Sequence, residues 1–181
     1  MKKDTLNFQI ENNKPLAKKG FTLVEFLLYF TISTMTILLI SFFLFEVLRF
    51  RLKSQTIAEV EQEGVQVMQI ITQTARNSEA ITSPTLGDST PTLTLDVVDI
   101  LEDPTLFDIS SGVIQIKEGA GLAIPLTSSN RVTASNLSFY NLSRASTDGT
   151  IRIQFTLAHL NPENKFEYDY TKTFFGSATL R

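Results

Sequence analysis

Cysteine is absent from the 181-residue chain, and histidine occurs once, at position 159. Without cysteine there is no disulfide, no thiolate metal site and no catalytic thiol, and a single histidine excludes every site that needs two. Charged residues make up only 19% of the sequence and the formal net charge is −3, so a surface that coats nucleic acid is not expected. The 43% of apolar residues exclude a disordered acidic chain, and the length predicts one domain.

The apolar residues are unevenly distributed along the chain. Positions 1–20 hold five lysines and two acidic residues, a local charge of +3, without apolar periodicity, and we interpret them as a basic leader peptide. Positions 26–45 contain no charged residue, and twenty residues of helix span the hydrocarbon core of a bilayer, about 30 Å. We therefore predict a transmembrane half-helix over 21–45, with the leader in the cytoplasm and the residues after it outside the membrane.

Two kinds of polar side chain occur in or beside this apolar run. Serine and threonine hydroxyls are tolerated in such a helix because they bond to the carbonyl oxygen one turn earlier. Glu25 lies at the edge of the run, where a carboxylate is costly unless it is hydrated or paired. It is either a hydrated interfacial acid or an acid that needs a cation from outside the folded chain.

A motif precedes the apolar run. Residues Lys18 to Glu25 read KKGFTLVE and resemble the class III signal of type IV prepilins and type II secretion pseudopilins. The resemblance implies that a prepilin peptidase cuts between Gly20 and Phe21 on the cytoplasmic side and methylates the new amine of Phe21. It also implies that Glu25 neutralises the N-terminus of a neighbouring subunit during filament assembly. A glycine before the cut leaves the backbone open to close approach by a protease.

The resemblance also implies partners and a location. The partners are the prepilin peptidase, other pilins or pseudopilins through their N-terminal helices, the inner-membrane assembly platform and the cytoplasmic membrane. The subunit is expected first as a single-pass inner-membrane protein and then in a pilus or pseudopilus. Major pilins often carry a helix-disrupting Gly and Pro, and the corresponding positions look like Thr34 and Phe42, which favours a minor subunit. The size and the β-rich head look like the J-type minor pseudopilin.

From residue 46 onward the pattern becomes that of an amphipathic helix. Apolar or small residues recur at steps of three and four with polar residues between them, at Ile57, Val60, Gly64, Val67, Ile71 and Thr74. Gly64 indicates a bend or close packing, because glycine is unfavourable inside a helix. We predict an amphipathic half over 46–79 and a helix end near Ser78, since Pro84 and Gly87 follow.

Residues 80–181, the head, are rich in threonine, serine and β-branched residues and predict strands. We expect an α+β, pilin-like fold in which the long N-terminal helix packs on an antiparallel β-sheet head. The Asp148-Gly149 turn predicts a hairpin between its flanking strands. The predicted strands are 92–98, 113–117, 122–127, 137–144, 150–158 and 165–175, the last with Phe166, Tyr168 and Tyr170 on one face.

No catalytic site and no resident cofactor or metal is predicted. His159 lacks the sequence context of a catalytic triad and is expected at the surface or half-buried. The acidic stretch Asp96 to Asp108 lacks the EF-hand spacing, and Ca²⁺ binding remains an alternative to a solvated loop. Two other functions stay open: a competence pilin that binds DNA, and an uncleaved single-pass membrane protein with an extracellular binding or enzymatic head. The head carries seven basic and eleven acidic residues, which argues against DNA and predicts no nucleic-acid partner.

Overall fold

The computed structural model describes residues 20–145 and 149–181. The chain divides into two compact units, unit 1 up to Phe45 and unit 2 from Glu46 to Arg181. The helix is α1 Leu23–Asn77, and a short 3-10 helix covers Phe166–Tyr168. The strands of this part of the chain are β1 Ser78–Ser83, β2 Ser89–Thr90, β3 Leu93–Val97, β4 Thr105–Ser110, β5 Val113–Glu118, β6 Ile124–Pro125, β7 Val132–Asn141, β8 Thr150–His159 and β9 Thr171–Thr179.

Unit 1 contains the first half of α1, which carries its apolar side chains on every face. From Phe21 to Phe45 each large apolar side chain is at least 53% exposed. The most apolar 18-residue window of α1 has a mean hydropathy of 2.1, and none of it is buried. By length and composition α1 could cross a membrane, as the sequence predicted. The leader predicted over 1–20 lies outside the described residues, except for Gly20.

Unit 2 contains two antiparallel sheets rather than the single sheet predicted. Sheet 1 has the order β1-β3-β4-β5-β6, and sheet 2 has the order β2-β7-β8-β9. The strands alternate buried and exposed residues, and the buried sides of both sheets contribute to one apolar cluster. The number of sheets depends on which strands pair, and pairing between distant segments is not encoded in local alternation.

The second half of α1 packs on this core through one stripe. Its buried residues are spaced at three and four, as expected for an amphipathic helix, and are Thr56, Val60, Gly64, Val67, Ile71 and Ala75. The two ends of the predicted stripe were wrong by one residue, since Ile57 and Thr74 are only half-buried. Gly64 lies against the ring of Phe174, and a Cβ at Gly64 would overlap that ring. The side chain of Met68 packs against Gly176 of β9, where a Cβ would overlap the Met68 sulfur. The interpretation of Gly64 as a close-packing position is therefore confirmed, and the general α+β arrangement of helix and sheet is present.

Several predicted strands match the structure, and others were wrong. β3, β5 and β8 lie within one or two residues of the predictions, and β7 and β8 pair as antiparallel neighbours. The turn residues Ser146 to Asp148 lie outside the described residues. β7 begins at Val132, and the predicted start at position 137 was wrong. A register shift at Asn136, which has a positive φ of 53°, interrupts the two-residue period on which the prediction depended. Strands β1, β2 and β4 were missed, and β6 has two residues instead of six.

The strand predicted over 165–175 was wrong in its first half. The Asn161 side chain bonds both the N–H and the carbonyl oxygen of Lys165, at 2.8 Å each, and extends the turn. The Lys53 ammonium of α1 then donates to the carbonyl oxygens of Phe166 and Asp169. These bonds hold a 3-10 helix here, so Phe166 is exposed and β9 begins only at Thr171.

Candidate functional site

The predicted cleavage site lies immediately before α1. Gly20, Phe21 and Thr22 are exposed and have no regular secondary structure. A Cβ built on Gly20 would meet no atom of the described residues within 4 Å, so these residues leave the peptide bond between Gly20 and Phe21 open to approach. An exposed segment without regular secondary structure is a suitable peptidase substrate, because its backbone is accessible to a protease.

Thr22 caps the N-terminus of α1. The backbone N–H of Glu25 donates to Oγ1 of Thr22 at 3.3 Å, and the N–H of Phe26 donates to the Thr22 carbonyl oxygen at 3.1 Å. Thr22 and Glu25 stand at the two positions of a capping box. An acid in the first turn is also favoured by the partial positive charge of the helix N-terminus. The motif that contains the predicted cleavage site therefore also starts a helix.

The Glu25 carboxylate belongs to a small cluster with two aromatic residues. The Tyr29 hydroxyl donates to Oε1 of Glu25 at 3.3 Å, and the ring of Tyr29 meets that of Phe21 edge to face, with centroids 6.2 Å apart. No cation lies within ion-pair distance of Glu25 in the described residues. Sequence reasoning missed Tyr29, although its position four residues after Glu25 on a helix was a signal for this contact.

Four of the hydroxyl groups in unit 1 are satisfied within the helix. Each donates to the carbonyl oxygen four residues earlier at 2.8 or 2.9 Å, in the pairs Thr31–Leu27, Thr34–Phe30, Thr36–Ile32 and Ser41–Ile37. A hydrocarbon environment offers no water to replace such bonds. This half of α1 therefore presents an apolar surface with few free polar groups, suited to lipid or to other apolar helices.

Glu59, Glu61 and Glu63 of α1 form polar contacts with other elements of unit 2. Glu61 accepts from the Lys172 ammonium at 2.7 Å and from the Tyr170 hydroxyl at 3.1 Å. Glu63 accepts from the backbone N–H of Ser128 at 3.0 Å. Glu59 lies 4.0 Å from Arg131 and 3.5 Å from His159. The sequence placed these glutamates on the polar faces of the helix but did not identify their partners.

Glu61, Tyr170 and Lys172 perturb one another. The hydrogen bond from Lys172 holds the pKa of Glu61 below its ordinary value, and the bond from Tyr170 acts in the same direction. The same contact raises the pKa of Lys172. Burial raises the pKa of Tyr170, and its bond to Glu61 adds to that effect. All three groups lie outside the apolar first half of α1, and their arrangement is that of a structural ion pair.

His159 lies half-buried at the end of β8. Its Nδ1 is 2.9 Å from the carbonyl oxygen of Leu160, its Nε2 is 3.5 Å from Glu59, and its ring stacks on Tyr168 with centroids 5.5 Å apart. The ring of His159 therefore contacts Glu59 on α1 and also Leu160 and Tyr168 in the segment after β8. These contacts connect that segment to α1. Packing and hydrogen bonding account for the position of His159.

The structure distributes the acidic stretch over two strands and a loop. Asp96 is in β3 and Asp108 is in β4. Within the loop, Asp99 accepts from the N–H of Leu101 at 2.9 Å, and Asp103 accepts from the N–H of Val97 at 3.4 Å. In residues 20–145 and 149–181 no three His, Asp or Glu side chains form a group that could hold a metal ion.

These observations place the predicted site residues Gly20, Phe21 and Glu25 together at the start of an apolar helix, with His159 and the acidic stretch elsewhere. No protein-family model matches this sequence, and neither a curated protein nor a solved structure is significantly similar to it.

Proposed function

We propose that this chain is a minor pilin or pseudopilin, a structural subunit of a type IV pilus or of a type II secretion-like pseudopilus. A prepilin peptidase removes residues 1–20 and methylates Phe21. The first half of α1 then anchors the subunit in the inner membrane and packs with the helices of sister subunits. The head is displayed outside the membrane, and the assembly platform moves the subunit into the filament.

The observation that carries this proposal is the carboxylate of Glu25. It lies in the first turn of an apolar helix and has no cation within ion-pair distance among the described residues. Cleavage before Phe21 creates an α-amine at the same membrane edge. The amine of a neighbouring subunit can pair with Glu25, and losing one partner of a desolvated pair costs about 3–5 kcal/mol. The pairing therefore selects subunits that are cleaved and correctly staggered.

Thr34 and Phe42 support a minor rather than a major subunit. At these positions α1 continues without interruption, and Thr34 bonds back to Phe30 at 2.9 Å. A Gly and Pro pair would weaken the helix at these positions. A subunit with a firm helix fits a component used in few copies, such as a J-type subunit at the tip of a pseudopilus.

The N-terminus of the membrane form tests this proposal. The full chain is expressed in cells that contain a prepilin peptidase and in matched cells that lack it, and intact mass and N-terminal sequencing are measured. We expect loss of residues 1–20 and one added methyl group only in the cells with peptidase. Gly20→Val serves as a variant that blocks cleavage. An intact Met1 in peptidase-containing cells would overturn the proposal and favour an uncleaved single-pass membrane protein.

Glu25→Ala tests the assembly step separately. We expect cleavage close to that of the wild type, with strongly reduced incorporation into filaments, because the amine of the neighbouring subunit loses its counter-ion. Glu46→Ala is the matched control, since Glu46 is an exposed acid of α1 that follows the apolar run. Incorporation is quantified in sheared filaments. Equal incorporation of the Glu25 variant and the wild type would contradict the pairing mechanism.

A further inference from the structure

The outer strands of the two sheets differ in how well they are protected from pairing with another chain. In the described residues, β2 and β6 have two residues each and adjoin or contain a proline, and β1 shifts register twice against β3. β9 runs for nine residues and keeps an unbroken register against β8. Proteins usually shorten, bend or charge an edge strand. The long, regular edge of β9 is therefore the exception in this fold.

β9 presents its unused backbone groups in a regular row. The N–H of His159 donates to the carbonyl oxygen of Tyr170 at 2.9 Å, and the N–H of Leu180 donates to that of Gly149 at 2.8 Å. Because bonded pairs alternate along antiparallel strands, even-numbered residues of β9 bond to β8. The N–H and C=O groups of the five odd-numbered residues point away from β8. No backbone partner for them occurs in residues 20–145 and 149–181.

A groove with a volume of about 800 Å³ lies between α1 and β9. Val65 lines it from the helix and Phe175 from the strand, and these side chains are 60% and 68% exposed. The ionised side chains in its lining are Arg76 and Arg181. Neither guanidinium forms an ion pair with a side-chain carboxylate of the described residues. Two guanidinium groups therefore line the groove, although the head as a whole is acidic.

We propose that β9 pairs with an extended, carboxylate-bearing segment of a partner protein, which adds a fifth strand to sheet 2. The outward backbone groups supply the ladder of hydrogen bonds, and Arg76 and Arg181 select an acidic partner through charge-assisted bonds. A second copy of this chain has poorer charge complementarity, because residues 171–181 contain no acidic side chain that could pair with Arg76 or Arg181. This inference does not depend on the proposed filament function.

Ser177 offers a selective way to block the edge. Its N–H points away from β8, so Ser177→Pro removes an outward donor without removing a bond to β8. The preceding residue is Gly176, which has no Cβ for the proline ring to meet. Proline is tolerated at such edge positions. Ser177→Ala is the matched control, because it removes the hydroxyl and keeps the N–H. Circular dichroism and thermal unfolding check that both variants fold.

The probe is a labelled nine-residue peptide of alternating threonine and valine with two glutamates, and its matched counterpart has two lysines instead. Both are titrated by fluorescence anisotropy against the full chain in detergent micelles. We expect the glutamate peptide to bind about tenfold more tightly than the lysine peptide, a difference that a lost charge-assisted bond can account for. We expect Ser177→Ala to bind like the wild type, and Ser177→Pro to bind about tenfold more weakly.

A second measurement uses the wild type alone and does not depend on the folding of a variant. The glutamate peptide should slow amide hydrogen exchange at the odd-numbered residues of β9, while the even-numbered amides are already protected by β8. Equal binding to Ser177→Pro and wild type, or no new protection, would overturn edge pairing. Equal binding of the two peptides would overturn the selection of an acidic segment. Dimerisation of the protein that Ser177→Pro abolishes would overturn the choice of partner in favour of a second copy.

Discussion

In the first half of α1, up to Phe45, every large apolar side chain is at least 53% exposed, whereas in the second half Val60, Val67, Ile71 and Ala75 are fully buried. The backbone is helical throughout, from Leu23 to Asn77. Both halves thus satisfy their backbone hydrogen bonds in the same way. They differ in the environment for which their side chains are suited.

This difference shows that helix formation and side-chain burial are separate requirements. The second half finds its apolar environment within the chain, on the two sheets. The first half has no such surface in the described part of unit 1 and is suited to lipid or to other apolar helices. The same substitution should therefore have different consequences in the two halves, and matched pairs of variants measure this.

Ile71→Ala should have the largest effect on the stability of unit 2. Ile71 is fully buried, and shortening it leaves a cavity, so we expect the free energy of unfolding to fall by about 2–5 kcal/mol. The matched control is Ile37→Ala, since Ile37 is 61% exposed, and we expect a change within about 0.5 kcal/mol. Urea unfolding of the full chain in detergent measures both. Equal destabilisation by the two substitutions would contradict the division of α1 into two environments.

Leu38→Arg should chiefly affect membrane insertion. An arginine near the centre of the apolar run disfavours insertion by about 3 kcal/mol, so less protein should resist carbonate extraction from membranes. Val65→Arg is the control, because Val65 has a similar exposure of 60% against 55% for Leu38, but its half of α1 is expected in water. Membrane retention of Val65→Arg should match the wild type. Equal loss of membrane retention in both arginine variants would contradict the division of α1 into two environments.

The smallest expected effect concerns the contact between Glu61 and Lys172. The pKa of Glu61 is lowered from 4.5, so its contribution is present above that pH and is lost as the pH falls through the lowered value. The pKa of Lys172 is raised from 10.5, so its contribution is present below that pH and is lost as the pH rises through the raised value. Both groups are partly exposed, and solvent screening keeps the effect small.

The pH dependence of unfolding checks this contact. The difference in thermal unfolding temperature between the wild type and Glu61→Gln should be constant between these limits, and it should shrink in acid because the wild type falls slightly more steeply. The exposed Glu79 gives the control Glu79→Gln, whose profile should follow that of the wild type. Superimposable profiles of wild type and Glu61→Gln would show that the contact contributes nothing measurable.

Local patterns predicted the helix and several strands because their period was uninterrupted. The stripe through Val60 and Ile71 has helical spacing over five turns, and β8 alternates polar and apolar residues from Thr150 to Leu157. β4 was missed because Asp108 and the acids before it resembled a solvated loop, although Phe107 in the same strand is fully buried. β7 was shortened because the bulge at Asn136 reverses which side chains face the core.

In the candidate site, local contacts follow from the sequence, whereas contacts between distant segments do not. Gly20, Phe21 and Glu25 follow from a contiguous motif, and their functional roles remain predictions. The contact of Tyr29 with Glu25 required only helical spacing, but the partners of Glu61 lie more than a hundred residues away in sequence. Such contacts depend on which strands come to lie beside α1, and no local pattern specifies that.

The sequence by itself determined the apolar run, the capped start of α1 and the stripe on its second half, because these depend on residues within one or two helical turns. Tertiary structure alone decided that the strands form two sheets, that glutamates of α1 meet β9 and the loop before β7, and that β9 is left at an edge. The physical reason is that hydrogen bonds between strands join distant segments, and their pairing is selected by packing of the whole core.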